Sequence, residues 1–207
     1  NTEEPPLDDP LVRRALSLAL DRDLLNETVL ENIMSPAYFL TPPGTVGYNP
    51  PVTFTYDPEQ ARALLAEAGY PNGEGFPGFE ILYNTQENHR RIAIAIQEMW
   101  REALNINVTI INQEWQVYLE SVDNMNFDLA RRGWSGDYVD PNTYLDLFIT
   151  GGGNNNTGFS NERYDEIVLN EAPRELDVEA RNALYFEAET ILMENMPIIP
   201  IYIYKKS

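Results

Sequence analysis

Residues 112–141 contain the side chains best suited to bind a small charged molecule. Two tryptophans, two adjacent arginines and an aspartate fall in this stretch: Trp115, Trp134, Arg131, Arg132 and Asp137. A guanidinium matches a carboxylate through two parallel hydrogen bonds, and a carboxylate such as Asp137 pairs with an ammonium group. Tryptophan rings supply rigid apolar walls. The combination predicts a site for an amino-acid-like or peptide ligand.

His89 is the only histidine of the chain, and cysteine is absent. A metal site built from several histidines or from thiolates is therefore excluded. The segment after Arg132 reads GWSGD, which is not a Gly-x-Ser-x-Gly elbow, so a nucleophilic triad is weakly supported. We predict that His89 assists carboxylate binding, either protonated or through water.

Each candidate also has a purely structural interpretation. A lone histidine in a first helical turn often lies on the surface or caps the helix. Tryptophans often belong to the core, and one of the two arginines suits a surface ion pair. Asp137 and Asp140 both resemble turn or cap aspartates, Asp140 especially because Pro141 follows it.

Three predicted strands end where these polar groups begin. They are residues 79–83 (FEILY), 106–111 (INVTII) and 127–130 (FDLA), separated by helices predicted at 88–104 and 114–121. Strands that alternate with helices predict a mostly parallel sheet flanked by helices, the α/β class. Ligands bind at the carboxyl ends of such strands. Those ends lie at residues 84–89, 112–115 and 131–138.

The remaining pattern is mostly helical. Asp9, Asp57 and Asp177 predict N-caps, with Pro10 and Pro58 at first helical positions. Gln60 is expected to bond back to the cap at Asp57. Proline-rich residues 36–56 predict an extended connecting loop, and GGGNNNTG at 151–158 a flexible one. Further helices are expected after Pro141, at 163–171 and from 177 to about 194, with a last strand at 198–204.

Charge and length narrow the function classes. The chain has 207 residues, with 14 basic and 33 acidic side chains and a net charge of −19. Such a field repels phosphate backbones, so a nucleic-acid partner is excluded, and anionic membrane surfaces are disfavoured. No secretory leader opens the chain and no apolar run approaches ~18 residues. A single domain over residues 1–207 is expected.

Seven segments taken together resemble a known family over nearly the whole chain. They are VRRALSLALDRDLL, YDPEQARALLAEAGY, LYNTQENHRRIAIAIQEMW, INVTIINQEW, FDLARRGWSGDYVDPNTYLDLF, GGGNNNTGFSNERYDEI and ARNALYFEAETILMENMPIIPIYIY. In this order they resemble the C-terminal lobe of the peptide- and nickel-type extracellular solute-binding proteins of ABC importers, most closely the oligopeptide-binding members. The resemblance implies a periplasmic-binding-protein-like (type II) lobe, with a first lobe and hinge outside residues 1–207.

The resemblance also implies roles for individual residues. Asp137 would pair with the α-ammonium of a peptide, and Arg131 rather than Arg132 with its C-terminal carboxylate, near His89. Pocket-wall positions fall on Asn84, Trp115, Leu119 and Trp134. Where close oligopeptide binders carry a second basic residue, this chain has Val122 and Asp123.

The implied protein is a receptor and not an enzyme. It would need no cofactor, act as a monomer, deliver short peptides to an ABC permease, and be anchored at the cell surface in the periplasm or outside the cell. An oligosaccharide, a metal chelate or an opine-like solute is the alternative within the same fold. An acid-dependent hydrolase and a purely structural interaction domain are the alternatives from other classes.

Overall fold

The computed structural model describes residues 1–204 and is built from eight α-helices and five short strands. In chain order these are α1 (Pro10–Leu18), α2 (Arg22–Thr28), β1 (Ser35–Pro36), α3 (Pro58–Glu67), β2 (Phe79–Asn84), α4 (Glu87–Leu104), β3 (Val108–Gln113), α5 (Trp115–Asp123), β4 (Leu129–Ala130), α6 (Asn142–Leu145), α7 (Glu162–Glu166), α8 (Val178–Asn195) and β5 (Tyr202–Ile203). A π-helical turn, Ile167–Glu171, continues α7. No helix in this part of the chain is long and apolar enough to cross a membrane.

The parallel sheet has the order β3-β2-β4, so β2 is its central strand. Both neighbours run parallel to β2, with Asn84 opposite Gln113 and Leu82 opposite Ala130. Helices α4 and α5 connect consecutive strands, as parallel pairing requires. The predicted α/β lobe with a parallel sheet flanked by helices is confirmed.

The central strand buries both of its faces. Successive side chains of a strand point to opposite sides, so Phe79, Ile81 and Tyr83 enter the main core, whereas Leu82 enters a small cluster on the other face. In the main core they meet the predicted buried row of α4: Ile92, Ile96, Trp100 and Leu104. Tyr118 and Val122 of α5 are the other buried residues of the small cluster.

A second core lies around α6, α7 and α8. It contains Leu145, Tyr164, Tyr185 and Leu192, all buried. Tyr48 of the proline-rich loop is also buried there, and Phe54 packs against both this core and the main core. The predicted connecting loop at residues 36–56 therefore joins two apolar clusters.

The predicted caps at Asp9, Asp57 and Asp177 are confirmed. Each side chain accepts a hydrogen bond from a backbone N–H of the first turn. The expected return bond from Gln60 is wrong, because the N–H of Asp57 donates to the carbonyl of Leu18 at 2.9 Å. The α3 cap thus ties that helix to the end of α1.

Two buried charges hold the proline-rich loop without an ion pair. Arg22 is 1% exposed and donates to the carbonyls of Pro200, Ser17 and Leu20. Its guanidinium carbon lies 5.0 Å from the ring centroids of both Tyr38 and Phe54. Burial lowers the pKa of Arg22 to about 10, so it stays charged at neutral pH.

Glu189 of α8 has the opposite charge and a similar role. It is fully buried and accepts bonds from the N–H groups of Leu40 and Thr41 and from the hydroxyl of Tyr48. Burial raises the pKa of this carboxyl, and these hydrogen bonds oppose the rise. The loop is thereby held by ring contacts with Arg22 and by charge-assisted hydrogen bonds to Glu189.

Two further predictions need correction in extent. The last strand is not continuous over 198–204, because only Tyr202–Ile203 pairs, antiparallel to Ser35–Pro36. The loop at 151–158 is internally bonded: Asn155 donates to the carbonyls of Phe148, Ile149 and Phe159 at 2.9–3.2 Å.

Replacement of Arg22 by lysine should lower the free energy of unfolding by about 2–4 kcal/mol, because an ammonium cannot reproduce the planar set of bonds to three carbonyls and a hydroxyl. Urea denaturation measures the change. Arg14→Lys is the matched control, since Arg14 is an exposed residue of the same helix-rich region. Equal stability of the Arg22 and Arg14 variants would contradict the role assigned to the buried guanidinium.

Candidate functional site

The carboxyl edge of the parallel sheet brings three of the predicted site residues together. Asn84 ends β2, Arg131 follows β4, and His89 is the third residue of α4. The N–H of Arg131 donates to the carbonyl of Leu82 at 2.8 Å, which continues the pairing of β4 with β2 by one residue. The hydroxyl of Tyr118 in α5 donates to the carbonyl of Arg131. The backbone of Arg131 is thus held on both sides.

The guanidinium of Arg131 contacts neutral partners only. Its Nη2 donates to the hydroxyl of Tyr204 at 2.5 Å and to that of Tyr202 at 3.4 Å. Within residues 1–204, no carboxylate lies within 4.0 Å of this guanidinium, and the ion pairs formed by other arginines do not involve it. Arg131 is thus a half-buried cation without an ionic partner among the described residues.

His89 lies beside this cation. Its Nδ1 is 3.3 Å from the carbonyl oxygen of Asn84, and because a carbonyl only accepts, Nδ1 carries the hydrogen. Burial lowers the pKa of His89, the charge of Arg131 lowers it further, and the bond to Asn84 opposes both. The imidazole is therefore neutral at pH 7, and an arriving carboxylate would favour its protonation.

The lowered pKa has a defined effect on stability. The unfolded chain binds a proton to His89 at about pH 6.5, whereas the folded chain binds it only at lower pH. As pH falls through this window, the unfolded state takes up more protons, so this group reduces stability.

Two side-chain amides flank the same edge. The Oδ1 of Asn84 and the Oε1 of Gln113 are buried and have no hydrogen-bond partner among the described residues. The two residues lie opposite each other in the β2–β3 pairing. Unpaired acceptors in adjacent side chains are costly, which makes this edge receptive to a donor.

Helix α5 presents the apolar side of the site. Trp115, its first residue, is 56% exposed and stacks on Tyr118 with ring centroids 5.8 Å apart. Leu119 is half-buried and packs against the small cluster of Leu82 and Val122. Trp115 therefore offers an open ring face, whereas part of Leu119 already belongs to the protein interior.

Val122 is fully buried in that cluster, and Asp123 is an exposed acid at the end of α5. Neither position therefore supplies a basic group to the site.

Asp137 lies in the loop that leads to the second core. Its side chain is exposed, and no cation pairs with it within residues 1–204. Its N–H donates to Oγ1 of Thr143 at 2.9 Å. Gly136 is required for this approach, because a Cβ there would lie 2.8 Å from Cγ2 of Thr143. Burial raises the pKa of the nearby Asp146 carboxyl, and the charge of Asp137 adds to the rise.

Trp134 connects the two parts of the site. It is half-buried against the second core, and its buried Nε1–H has no acceptor among the described residues. Arg131 and Asp137 are six positions apart in the chain, which limits the distance between their backbones to about 20 Å. Arg131, His89 and Asn84 lie together at the sheet edge, whereas Asp137 bonds through its N–H to Thr143 beside the second core.

The neighbouring charges have structural partners. Arg132 donates to Oδ1 of Asn156 at 2.7 Å. Asp140 forms an ion pair with Arg181 at 3.1 Å and accepts a bond from the N–H of Asn142. Their selection as structural residues agrees with the geometry.

Sequence reasoning missed the aromatic residues that hold Arg131. Tyr202 and Tyr204 lie more than 70 residues away in sequence, and Tyr118 bonds to a backbone atom. The two C-terminal tyrosines are two residues apart, which indicates that they share one face of a strand. This spacing does not indicate which residue they contact.

Comparison with known proteins shows which sequences this chain is similar to. Residues 1–156 match the sequence profile described as bacterial extracellular solute-binding proteins, family 5 middle. The periplasmic murein peptide-binding protein MppA of Escherichia coli is 43% identical over 99% of this chain and 39% of its own length. The chain thus spans about two fifths of this relative.

Solved structures agree with the sequence match. The Escherichia coli murein tripeptide-binding protein MppA superposes with a TM-score of 0.92 and 43% identity, over 99% of this chain and 41% of that one. Haemophilus influenzae OppA in complex with RPPGFSPFR gives a TM-score of 0.90 and 35% identity, over 99% and 41% of the two chains.

The parallel sheet with an open polar carboxyl edge, shared with these structures, defines a solute-binding α/β lobe. The chain belongs to family 5 of the bacterial extracellular solute-binding proteins. This is a family of binding proteins and not of enzymes.

Replacement of Arg131 by methionine should raise the pKa of His89, because it removes the positive charge that lowers it. An NMR titration of the imidazole measures the shift. Arg132→Met is the matched control, since the adjacent Arg132 is bonded to Asn156 instead. A His89 pKa that is unchanged in the Arg131 variant, or raised equally in both, would show that the two groups do not interact as described.

Proposed function

We propose that this chain is one lobe of a two-lobed receptor that captures short peptides for an ABC importer. The relatives that support the peptide assignment are a murein peptide-binding protein and an oligopeptide-binding protein with a bound peptide. The share of those chains that it covers, about two fifths, supports a missing portion large enough to supply the opposite wall of a cleft. On this view residues 1–207 are one lobe, and the first lobe and hinge lie elsewhere in the receptor.

The single observation that carries the proposal is the pair of unmatched, opposite charges. Arg131 and Asp137 have no ionic partner within residues 1–204, yet each belongs to a well-anchored segment. Arg131 is half-buried, where a charge without an ionic partner favours a ligand of opposite charge, and Asp137 is exposed and therefore accessible to an ammonium group. A zwitterion with a carboxylate at one end and an ammonium at the other satisfies both.

The length of the ligand follows from the same geometry. Arg131 and Asp137 are six positions apart in the chain, so their backbones lie at most about 20 Å apart, which favours a short peptide when its two ends pair with these charges. The absence of a basic residue at Val122 removes a second carboxylate anchor farther along α5. Short peptides therefore fit better than long ones.

Each residue has a distinct part in the proposed binding step. Arg131 binds the peptide carboxylate through its free N–H groups, and His89 gains a proton as that carboxylate approaches. Asp137 receives the α-ammonium, with Asp146 adding to the negative potential there. Trp115 and Trp134 are walls for side chains, and Asn84 and Leu119 also line the site.

The charged anchors favour a peptide over a neutral sugar. Trp115 would suit a sugar ring, but a neutral oligosaccharide would cover Arg131 and Asp137 without neutralising either. Desolvation of an unpaired charge costs several kcal/mol. Metal chelates and opine-like solutes remain compatible with Arg131, but they leave Asp137 without a defined partner.

The wider setting belongs to the same proposal. A receptor of this kind acts outside the cytoplasm, as a monomer anchored at the cell surface, and its closed form docks on the permease. Closure around the ligand shifts the population from open to closed receptor, which is the signal that the permease reads.

In the intact receptor, Asp137→Asn should weaken binding of peptides with a free N-terminus by about 2–4 kcal/mol, because the ammonium loses its charged partner. Isothermal titration calorimetry measures the loss. Asp123→Asn, an exposed acid on α5, is the matched control. An N-acetylated peptide should bind the wild type and the Asp137 variant alike; a similar loss for both peptide forms would refute the anchor role.

The chain alone should bind such peptides far more weakly than the intact receptor, because one wall of the cleft contributes only part of the contacts. The comparison requires the same peptide, the same buffer and a circular dichroism spectrum that verifies folding of residues 1–207. A micromolar dissociation constant for the folded chain by itself would contradict the half-cleft proposal.

A further inference from the structure

Two tyrosines of the C-terminal segment converge on one nitrogen of Arg131. Tyr202 lies in β5, and Tyr204 follows two residues later on the same face of the chain. Their rings pack edge to face with centroids 5.2 Å apart, and their hydroxyls are 3.4 Å apart. Both hydroxyls accept from Nη2 of Arg131. This pair of residues is called the tyrosine clamp below.

The clamp holds the guanidinium without neutralising it. A carboxylate in the same place would form an ion pair and compete with an anionic ligand. A tyrosine hydroxyl is neutral at pH 7, and burial raises the pKa of Tyr202 still further. The positive charge of Arg131 is therefore retained in full.

The clamp also leaves most of the donors free. An arginine side chain has five N–H bonds, one on Nε and two on each terminal nitrogen. Among the described residues, Nε and Nη1 of Arg131 have no hydrogen-bond partner, since the bonds to Tyr202 and Tyr204 both use Nη2. The backbone of Arg131 is fixed by Leu82 and Tyr118, so rotation of the side chain is the freedom that the clamp removes.

Gly133 lies beside the clamp and the guanidinium. A Cβ built on Gly133 would lie 3.6 Å from Nη1, from Nη2 and from the hydroxyl of Tyr204, which is ordinary van der Waals contact. The guanidinium and the Tyr204 hydroxyl are thus both next to the Gly133 backbone.

We propose that Tyr202 and Tyr204 are positioning residues that orient Arg131 so that its unbonded donors face the carboxylate of the ligand. The identity of that ligand rests on the function proposed above, whereas the orientation of the guanidinium does not. Pre-orientation reduces the rotamer entropy lost on binding, so the clamp contributes to affinity without touching the ligand carboxylate itself.

The test uses the intact receptor with Tyr202→Phe, Tyr204→Phe and the double substitution, each of which removes only a hydroxyl. Dissociation constants are measured for one peptide with a free C-terminal carboxylate and for its C-terminal amide. The double variant should lose roughly tenfold in affinity for the carboxylate form and almost none for the amide. Tyr56→Phe is the matched control, because Tyr56 is exposed to a similar degree (43% against 48% for Tyr204).

An NMR titration of His89 supplies a second readout that needs no ligand. Because the charge of Arg131 lowers the pKa of His89, release of the guanidinium in the double variant should raise that pKa. A loss of affinity that is equal for the carboxylate and amide peptides would overturn the proposal. So would an unchanged preference for the carboxylate peptide together with an unchanged pKa of His89. If the wild-type receptor binds no peptide, the proposed function fails, and the His89 titration alone decides the positioning role.

Discussion

The pairing of β2 with a parallel strand on each side is the constraint on which the rest of this lobe depends. Its backbone bonds fix where β3 and β4 end, and its side chains divide between the main core and the small cluster under α5. Because parallel strands share one direction, their carboxyl ends must meet at a common edge. The polar groups that follow them, Asn84, Gln113 and Arg131, are adjacent for that reason. The position of the candidate site is thus a result of topology, and only its chemistry is set by the individual side chains.

Buried charge is used in the same manner at three places in the molecule. Arg22, Glu189 and Arg131 each bond to carbonyls, N–H groups or hydroxyls and not to an opposite charge. Glu189 bonds to Leu40, Thr41 and Tyr48 of the proline-rich loop, and Arg22 bonds to Ser17, Leu20 and the distant Pro200 while it contacts the Tyr38 and Phe54 rings of that loop. Hydrogen bonds between a charged side chain and neutral groups therefore stabilise the fold at Arg22 and Glu189. At Arg131 the same kind of bonding leaves N–H donors unused.

The parts that the sequence predicted are those governed by local rules. Aspartate before proline marks the starts of α1 and α3, the 3.6-residue period marks the buried row of α4, and the end of each apolar run marks the sheet edge. The parts that it did not predict depend on contacts between distant segments. The partner of β5, the burial of Arg22 and the tyrosines around Arg131 all involve residues that lie far apart in the chain. Gln60 illustrates the same limit, since the N–H it was expected to bond is taken by Leu18 of another helix.

The division of the lobe into two cores has a consequence for how such receptors diversify. Arg131 rests on the sheet and the main core, whereas Asp137 rests on Thr143 and the second core. A substitution that repacks one core leaves the support of the other charge largely intact, because distant sites without shared partners act additively. If Arg131 and Asp137 bind opposite ends of the ligand as proposed above, mutational drift can alter recognition at one end of a cargo molecule while the other end is still held. On that proposal, a lineage built on this lobe can acquire new cargo in steps, with some binding preserved at each step.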